Sequence, residues 1–290
     1  MTGLTPPGRS EHGFGYNAVD LDDTYTPPEV GMGDTKTEYG YNLRKQPTLV
    51  TRPDGKTIGF SYDTNGRLQE LILPDGEKTY VYHGTTGMLA NIFGQDGEVL
   101  SFGYDGSLPT NMTWNGVITG NVNLTYDNNF RANTQNVNGS NIISYTYEED
   151  GLLKNAGDLT LNYHQQNGML IGSMIGNISE GITYNSFGEA ERYQATYNGN
   201  TIYDVQYSNR DKFGRIITKT ETVNSETHTY TYNYNLNTDW LTDVHKDGVL
   251  ISHYDYDANG NRIGYTGMNG TIIGNYDAQD RMLTYGTDRL

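Results

Sequence analysis

Apolar and aromatic residues along the chain alternate with polar ones in short runs of about five residues, each run closed by Asp, Asn or Gly. Period-two alternation over such lengths is the signature of β-strands with one face more covered than the other. One register carries through most of the chain. Tyrosines stand at Tyr41, Tyr62, Tyr82, Tyr104, Tyr126, Tyr147, Tyr163, Tyr184, Tyr207, Tyr232, Tyr256 and Tyr276, spaced 20 to 25 residues apart except for a 16-residue step after Tyr147. Two positions before each is a second large residue on the same strand face, such as Phe60, Tyr80, Phe102 or Tyr254, with Gly274 the exception.

A small polar residue follows many of these anchors, as at Asp63, Asp105, Asp127, Asp257 and Asp277, and a glycine such as Gly66 or Gly260 comes a few positions later. Asp can bond the neighbouring backbone, and Gly accepts a positive φ, so these segments read as turns. A second strand opens after each turn, for example at Leu68, Leu89, Leu153 and Leu170, and ends at a second signal such as Asp54-Gly55, Asp75-Gly76, Asn138-Gly139 or Asp247-Gly248. These are the dipeptides that two-residue hairpin loops favour. Each repeat is therefore two strands and two turns.

The pattern predicts an all-β chain of continuous antiparallel β-hairpin repeats. About 24 strands at about 4.8 Å each give roughly 115 Å of sheet. Open sheets longer than about ten strands curl. The strip is expected to wind into a hollow spiral or open barrel, about 37 Å across if one turn uses most of its length. Residues 1–36, with Pro6-Pro7 and Pro27-Pro28, fall outside the register and read as an entry or capping segment, leaving 37–290 as about twelve repeats. The chain stops 14 residues after Tyr276, so the natural protein is expected to continue.

Composition agrees with a wound strip more than with a packed globule: 34% of residues are hydrophobic, and tyrosine supplies 25 of the aromatics against 7 Phe and 2 Trp. Tyrosine rings are expected to stack between neighbouring repeats while their hydroxyls stay hydrated or partnered. The net charge of −16 repels phosphate backbones, which argues against a nucleic-acid partner. There is no cysteine, hence neither disulfide framework nor thiolate chemistry, and no apolar run long enough to insert in a membrane.

No catalytic, metal or cofactor residue emerges. The six histidines lack ligand spacing, and His83 and His164 occupy the repeat position where Asp usually stands. Asp257, Asn259 and Asn261 imitate the start of a calcium loop, but Arg262 stands where the loop needs Gly and Met268 where it needs Glu. Asp22-Asp23 and Glu148-Glu149 are adjacent in sequence and so point to opposite strand faces. Trp114 and Trp240 read as packing residues rather than sugar platforms.

The segments FSYDTNGRL from Phe60, LPDG from Leu73, YDYDANGNR from Tyr254 and YDAQDRMLTYG from Tyr276 resemble Rhs or YD repeats, and the resemblance runs from about Thr37 to Leu290. Single copies are degraded: SNRDKFGRI from Ser208 has an enlarged turn and FGYDGSLPT from Phe102 lacks the Gly-Arg pair. The resemblance implies a β-sheet shell such as bacterial Rhs toxins, the C components of insecticidal toxin complexes and animal teneurins possess. In the toxins the shell encloses a C-terminal effector; in teneurins it serves adhesion. The Asp-Pro-x-Gly core motif and variable tail of the bacterial shells are absent from this chain. The expected role is a structural segment of a secreted or surface-exposed bacterial shell, not an enzyme. Its expected partners are adjoining parts of the parent chain or an enclosed effector, with end-to-end self-association. A carbohydrate- or surface-binding adhesion module is the alternative.

Overall fold

The structure is a computed structural model that describes residues 1–31, 33 and 35–289. Met32 and Asp34 of the entry segment, and Leu290 in the last repeat, lie outside the described residues. No helix occurs among the described residues, and every strand pairing is antiparallel between sequence neighbours. The fold is all-β, as the alternation predicts.

Although the sequence reads as one uninterrupted run, the chain divides into two compact units, Met1–Ile143 and Ser144–Leu290. The division falls within strand β14 (Ser140–Tyr147), immediately before the 16-residue repeat. In the first unit the ladder runs from β1 (Gly3–Leu4) through β2 (His12–Tyr16), β3 (Asp22–Thr26) and β4 (Thr37–Tyr41) to β13 (Ala132–Val137). In the second it runs from β14 to β28 (Asp288–Arg289).

Within the segment before Thr37, residues 12–26 fold as a hairpin with a turn of the repeat type. β2 and β3 form a hairpin across Asn17, whose Oδ1 accepts the N–H groups of Val19 and Leu21, and Asp20 takes φ 60°.

The core is thin. Buried apolar side chains among the described residues are Ala90, Ala195, Val205 and Val244, and Val205 alone is fully enclosed, at 1% exposure. A two-faced strip buries little apolar surface per residue, so its cohesion rests on ladder hydrogen bonds and on contacts between neighbouring repeats.

Candidate functional site

The repeated turn and its bonds to the next repeat are where the chemistry of this sequence concentrates. At Asp63, Oδ1 accepts the N–H groups of Asn65 and Arg67, each at 2.9 Å, while Oδ2 takes the Arg67 guanidinium at 2.7 Å from Nε. Gly66 supplies the left-handed residue at φ 82°. The same arrangement joins Asp127 to Arg131, Asp211 to Arg215 and Asp277 to Arg281. The backbone N–H of Arg67 is the main reason the Asp63 carboxyl is held below its ordinary pKa, with the guanidinium adding to it; Asp127 is lowered in the same way by Arg131.

Other turns keep the geometry with different chemistry. Asn42 pairs with Gln46 at 3.1 Å, Asn185 with Glu189 at 2.7 Å and Asp257 with Asn261 at 3.0 Å. A hydrogen-bonded i, i+4 polar pair thus recurs with Asp-Arg as one version, while the turns at Asn17 and Glu148 keep the backbone bond with Leu21 and Leu152 at the fifth position. Glycine is equally replaceable: Lys45, Phe130 and Asp280 adopt φ 64°, 62° and 60° at the corresponding position. The D-x-N-x-N stretch is one of these turns, for Asp257 receives the N–H groups of Asn259 and Asn261 while both Asn amides donate to Asp280.

Immediately before each turn the strand register slips by one residue, and the slip falls just before the anchor. This holds at Tyr41, Tyr62, Tyr82, Tyr104, Tyr126, Tyr147, Tyr163, Tyr184, Tyr256 and Tyr276. Such a bulge twists the strand and re-aims its side chain. The consequence is a ladder of hydroxyl bonds between repeats. Tyr62 Oη donates to the Pro47 carbonyl at 2.8 Å, Tyr82 to Leu68 at 2.8 Å, Tyr104 to Leu89 at 2.9 Å and Tyr126 to Pro109 at 2.6 Å. In the second unit Tyr163, Tyr184, Tyr256 and Tyr276 reach Leu153, Leu170, Leu241 and Arg262.

Two sequence assignments need correction. The bulge and turn place Arg210, not Tyr207, before Asp211, and Tyr234, not Tyr232, before Asn235. Arg210 Nη2 donates to the Ala190 carbonyl at 2.8 Å, doing with a guanidinium what the other anchors do with a phenol, and Tyr234 Oη reaches Ile216 at 3.0 Å. In TYTYNY from Thr229 both Tyr232 and Tyr234 precede an Asn, so spacing alone selects the wrong one.

The expected ring-on-ring stacking of anchors is also replaced by something else. No two anchor rings pair among the described residues; Tyr256 packs on Trp240 at 5.2 Å and Tyr104 meets His83 edge-on at 6.1 Å. Arginine covers the rings instead. Arg67 lies 4.3 Å from the Tyr82 ring centroid and Arg215 4.4 Å from that of Tyr234, each reaching from one turn to the anchor of the next repeat.

Outside the ladder, His253 Nδ1 meets Asp243 at 2.7 Å and His228 Nδ1 meets Asp247 at 2.6 Å, and these hydrogen bonds raise both imidazole pKa values. Tyr193 donates to Glu180 at 2.6 Å, and that bond together with burial pushes its pKa up to about 12. No group of three His, Cys, Asp or Glu is placed to hold a metal ion among the described residues.

Bulged hairpins, ten of them bonded to a neighbouring repeat through an aromatic hydroxyl or a guanidinium, define a repeat-built sheet of YD type. The model of the teneurin YD-shell family matches residues 1–289, and the chain belongs to that family. Similar solved structures are the TcdB2-TccC3-TEV crystal structure, at TM-score 0.74 and 12% identity, and the Tc holotoxin pore of Photorhabdus luminescens with a TccC3 variant, at TM-score 0.71 and 13% identity. Both matches cover 95% of this chain, which spans only 17% and 16% of those much longer chains. No curated protein matches it in sequence.

Proposed function

We propose that this chain is a wall segment of a larger secreted or surface-exposed bacterial YD shell, which encloses or presents an effector polypeptide and performs no chemistry of its own. The observation that carries this reading is the inter-repeat ladder: at Tyr62, Tyr82, Tyr104, Tyr126, Tyr163, Tyr184, Arg210, Tyr234, Tyr256 and Tyr276 the residue before the turn reaches back to a carbonyl of the preceding hairpin. The aspartates of the repeats are engaged in holding turns, as Asp63, Asp127 and Asp211 are. A sheet stabilised strand by strand, with nearest-neighbour bonds, extends by adding repeats, and that is the property a container wall needs.

The principal partners are then the adjoining repeats of the parent chain, and residues 1–36 are part of the wall. The strands of lowest pairing, β1 and β28 with two residues each, are where neighbouring wall would join or where copies would associate end to end. Electron cryomicroscopy of the full-length parent protein tests the reading. The expected result is this segment within the wall of a chamber holding polypeptide density; a lumen packed solid with side chains, or turnover of glycan, ester or peptide substrates abolished by one carboxylate substitution, would overturn it.

A further inference from the structure

Two pairs of tyrosine rings meet among the described residues, Tyr193 with Tyr203 at 5.9 Å between centroids and Tyr254 with Tyr265 at 5.5 Å. They differ in what their hydroxyls touch. On β19 (Ala190–Tyr197) and β20 (Asn200–Arg210), Ala195 stands opposite Tyr203 and Val205 opposite Tyr193, so these two tyrosines are diagonal neighbours on one sheet face. Tyr193 Oη donates to Glu180 Oε1 at 2.6 Å, and Tyr203 Oη to Glu221 Oε2 at 3.2 Å. The ladder tyrosines donate to backbone carbonyls instead, and among the described residues neither Tyr254 nor Tyr265 has a carboxylate bonded to its hydroxyl.

That difference decides how readily a ring gives up an electron. A neutral phenol that loses one becomes a strongly acidic cation radical, and the loss is costly unless a base takes the proton as the electron leaves. A short O–H···O⁻ bond holds that base in place. Glu180 has only Ser173 Oγ, at 2.9 Å, as its other bonded neighbour, whereas the Glu221 oxygen that meets Tyr203 also takes Lys219 Nζ at 2.7 Å. The ammonium makes Glu221 the weaker base. Tyr193 is therefore the first ring to be oxidised and Tyr203 the second. The Tyr254 ring has the Arg262 guanidinium 5.8 Å from its centroid, a positive charge that opposes loss of an electron.

We propose that Tyr193 and Tyr203 form a site of oxidative modification, joined as dityrosine by a haem peroxidase with hydrogen peroxide. One electron leaves each ring, and the phenolic protons pass to Glu180 and Glu221 and from them to water. The two phenoxyl radicals couple through one C–C bond between ring carbons ortho to oxygen. The hydrogens on those carbons move to the oxygens as the rings regain aromaticity, which restores both phenols. The two electrons and two protons released reduce one peroxide to two waters. In a chain with 25 tyrosines and no cysteine, this bond staples β19 to β20 where no disulfide can form. The site goes beyond the wall reading and does not depend on what the wall encloses.

The test is peptide mapping of the full chain after treatment with a haem peroxidase and less than one equivalent of hydrogen peroxide, at a protein concentration low enough to keep coupling within one chain. Free tyrosine in a parallel reaction shows that the oxidant is active. The expected first product is monomeric, lighter by two hydrogens and fluorescent as dityrosine, and its cross-linked peptides carry Tyr193 and Tyr203. Glu180→Gln keeps an amide oxygen for Tyr193 and Ser173 but removes the base. It should slow the coupling by about tenfold, with far-UV circular dichroism unchanged. Tyr193→Phe and Tyr203→Phe each remove a single hydroxyl and should each abolish this cross-link, and in Tyr203→Phe a nitroso spin trap should still attach to Tyr193. A first product at Tyr254 and Tyr265 or between chains, coupling undiminished in Glu180→Gln, or no dityrosine while free tyrosine couples would each overturn the assignment.

Discussion

Arg67 serves two repeats at once: its Nε holds Asp63 of its own turn at 2.7 Å, and its guanidinium lies 4.3 Å from the ring centroid of Tyr82 in the next. Its Nη1 also donates to the Gly87 carbonyl at 3.1 Å, closing the following turn from outside. The Arg of the YD motif is thus a connector, and the spacing between repeats is what it measures. The Arg67 and Tyr82 substitutions should therefore be non-additive. A double-mutant cycle with Arg67→Gln and Tyr82→Leu, followed by urea unfolding, should give a coupling of about 0.5–1 kcal/mol. Tyr82→Phe removes only the bond to the Leu68 carbonyl and should cost about 1 kcal/mol. Strict additivity of the cycle would mean that the stacking is geometric coincidence.

Arg210 offers a contrast within the same chain. It spans the Gly214 carbonyl and the Ala190 carbonyl, both at 2.8 Å, from one guanidinium fork. Lysine has no fork, so Arg210→Lys should lose one of the two bonds, and Arg210→Ala both, at about 1.5–3 kcal/mol for the latter. Arg210→Tyr, which restores the usual anchor, should fall between wild type and Ala in unfolding midpoint. The turn at Asp211 is not enlarged, as the sequence suggested, but has the bonds of the Asp63 turn, and the extra residues form a second bulge before Arg210. A Tyr variant no more stable than Ala would show that this bulge has changed the reach of the site.

Strand content, hairpin turns and the repeat period were legible because they follow from local rules: alternation marks strands, and Asp or Asn before Gly marks turns. Tyr16, Arg210 and Tyr234 escaped because they satisfy the geometry without the expected residue or glycine spacing. Nothing local distinguishes Tyr232 from Tyr234, both on one tyrosine-rich strand; the bulge that separates them is a property of the paired strands. The transverse row Tyr80, Ile92, Leu100, Trp114 and Gly120 was equally hidden, because no spacing along one strand announces which residues will stand abreast.

The first hairpin should be the loosest part of its unit. β3 meets β4 through two register pairs, Thr24 with Glu38 and Tyr25 with Thr37, whereas β10 (Val99–Asp105) and β11 (Leu108–Asn115) share seven. Local opening follows the number of protected bonds. Backbone amides from 12 to 26 should exchange with deuterium well before those from 99 to 115, and equal protection of both segments would contradict this.

His253 gives the alkaline side of the stability profile. Its hydrogen bond to Asp243 raises the folded-state pKa above the ordinary histidine value of 6.5, so the imidazolium contributes stability in full below that value and loses it as pH rises through the raised one. A proton NMR titration of the His253 ring should show the raised midpoint, and Asp243→Asn should bring it back toward the ordinary value. An unshifted midpoint in the wild type would remove the pair from the account.

The turn aspartates give the acid side, with the opposite sign. Asp63, Asp127 and Asp277 all have folded-state pKa values below the ordinary 3.8. For Asp63 and Asp127 the first cause is the backbone N–H of the i+4 arginine; for Asp277 burial pushes upward and the Arg281 hydrogen bonds outweigh it. A carboxylate with a depressed folded-state pKa stabilises the fold above its unfolded value and loses that contribution as pH falls through the folded one. Asparagine separates charge from geometry here, because Asn42 and Asn185 already hold the same turn through Oδ1. The triple variant Asp63→Asn, Asp127→Asn, Asp277→Asn should therefore fold with the same circular dichroism as wild type and have a lower urea midpoint at neutral pH, where it lacks three Asp-Arg pairs. Its midpoint should then change less than that of wild type between about pH 5 and about pH 2, so that the two curves converge in acid. Curves that stay parallel over that interval would place the acid lability in carboxylates other than those of the turns.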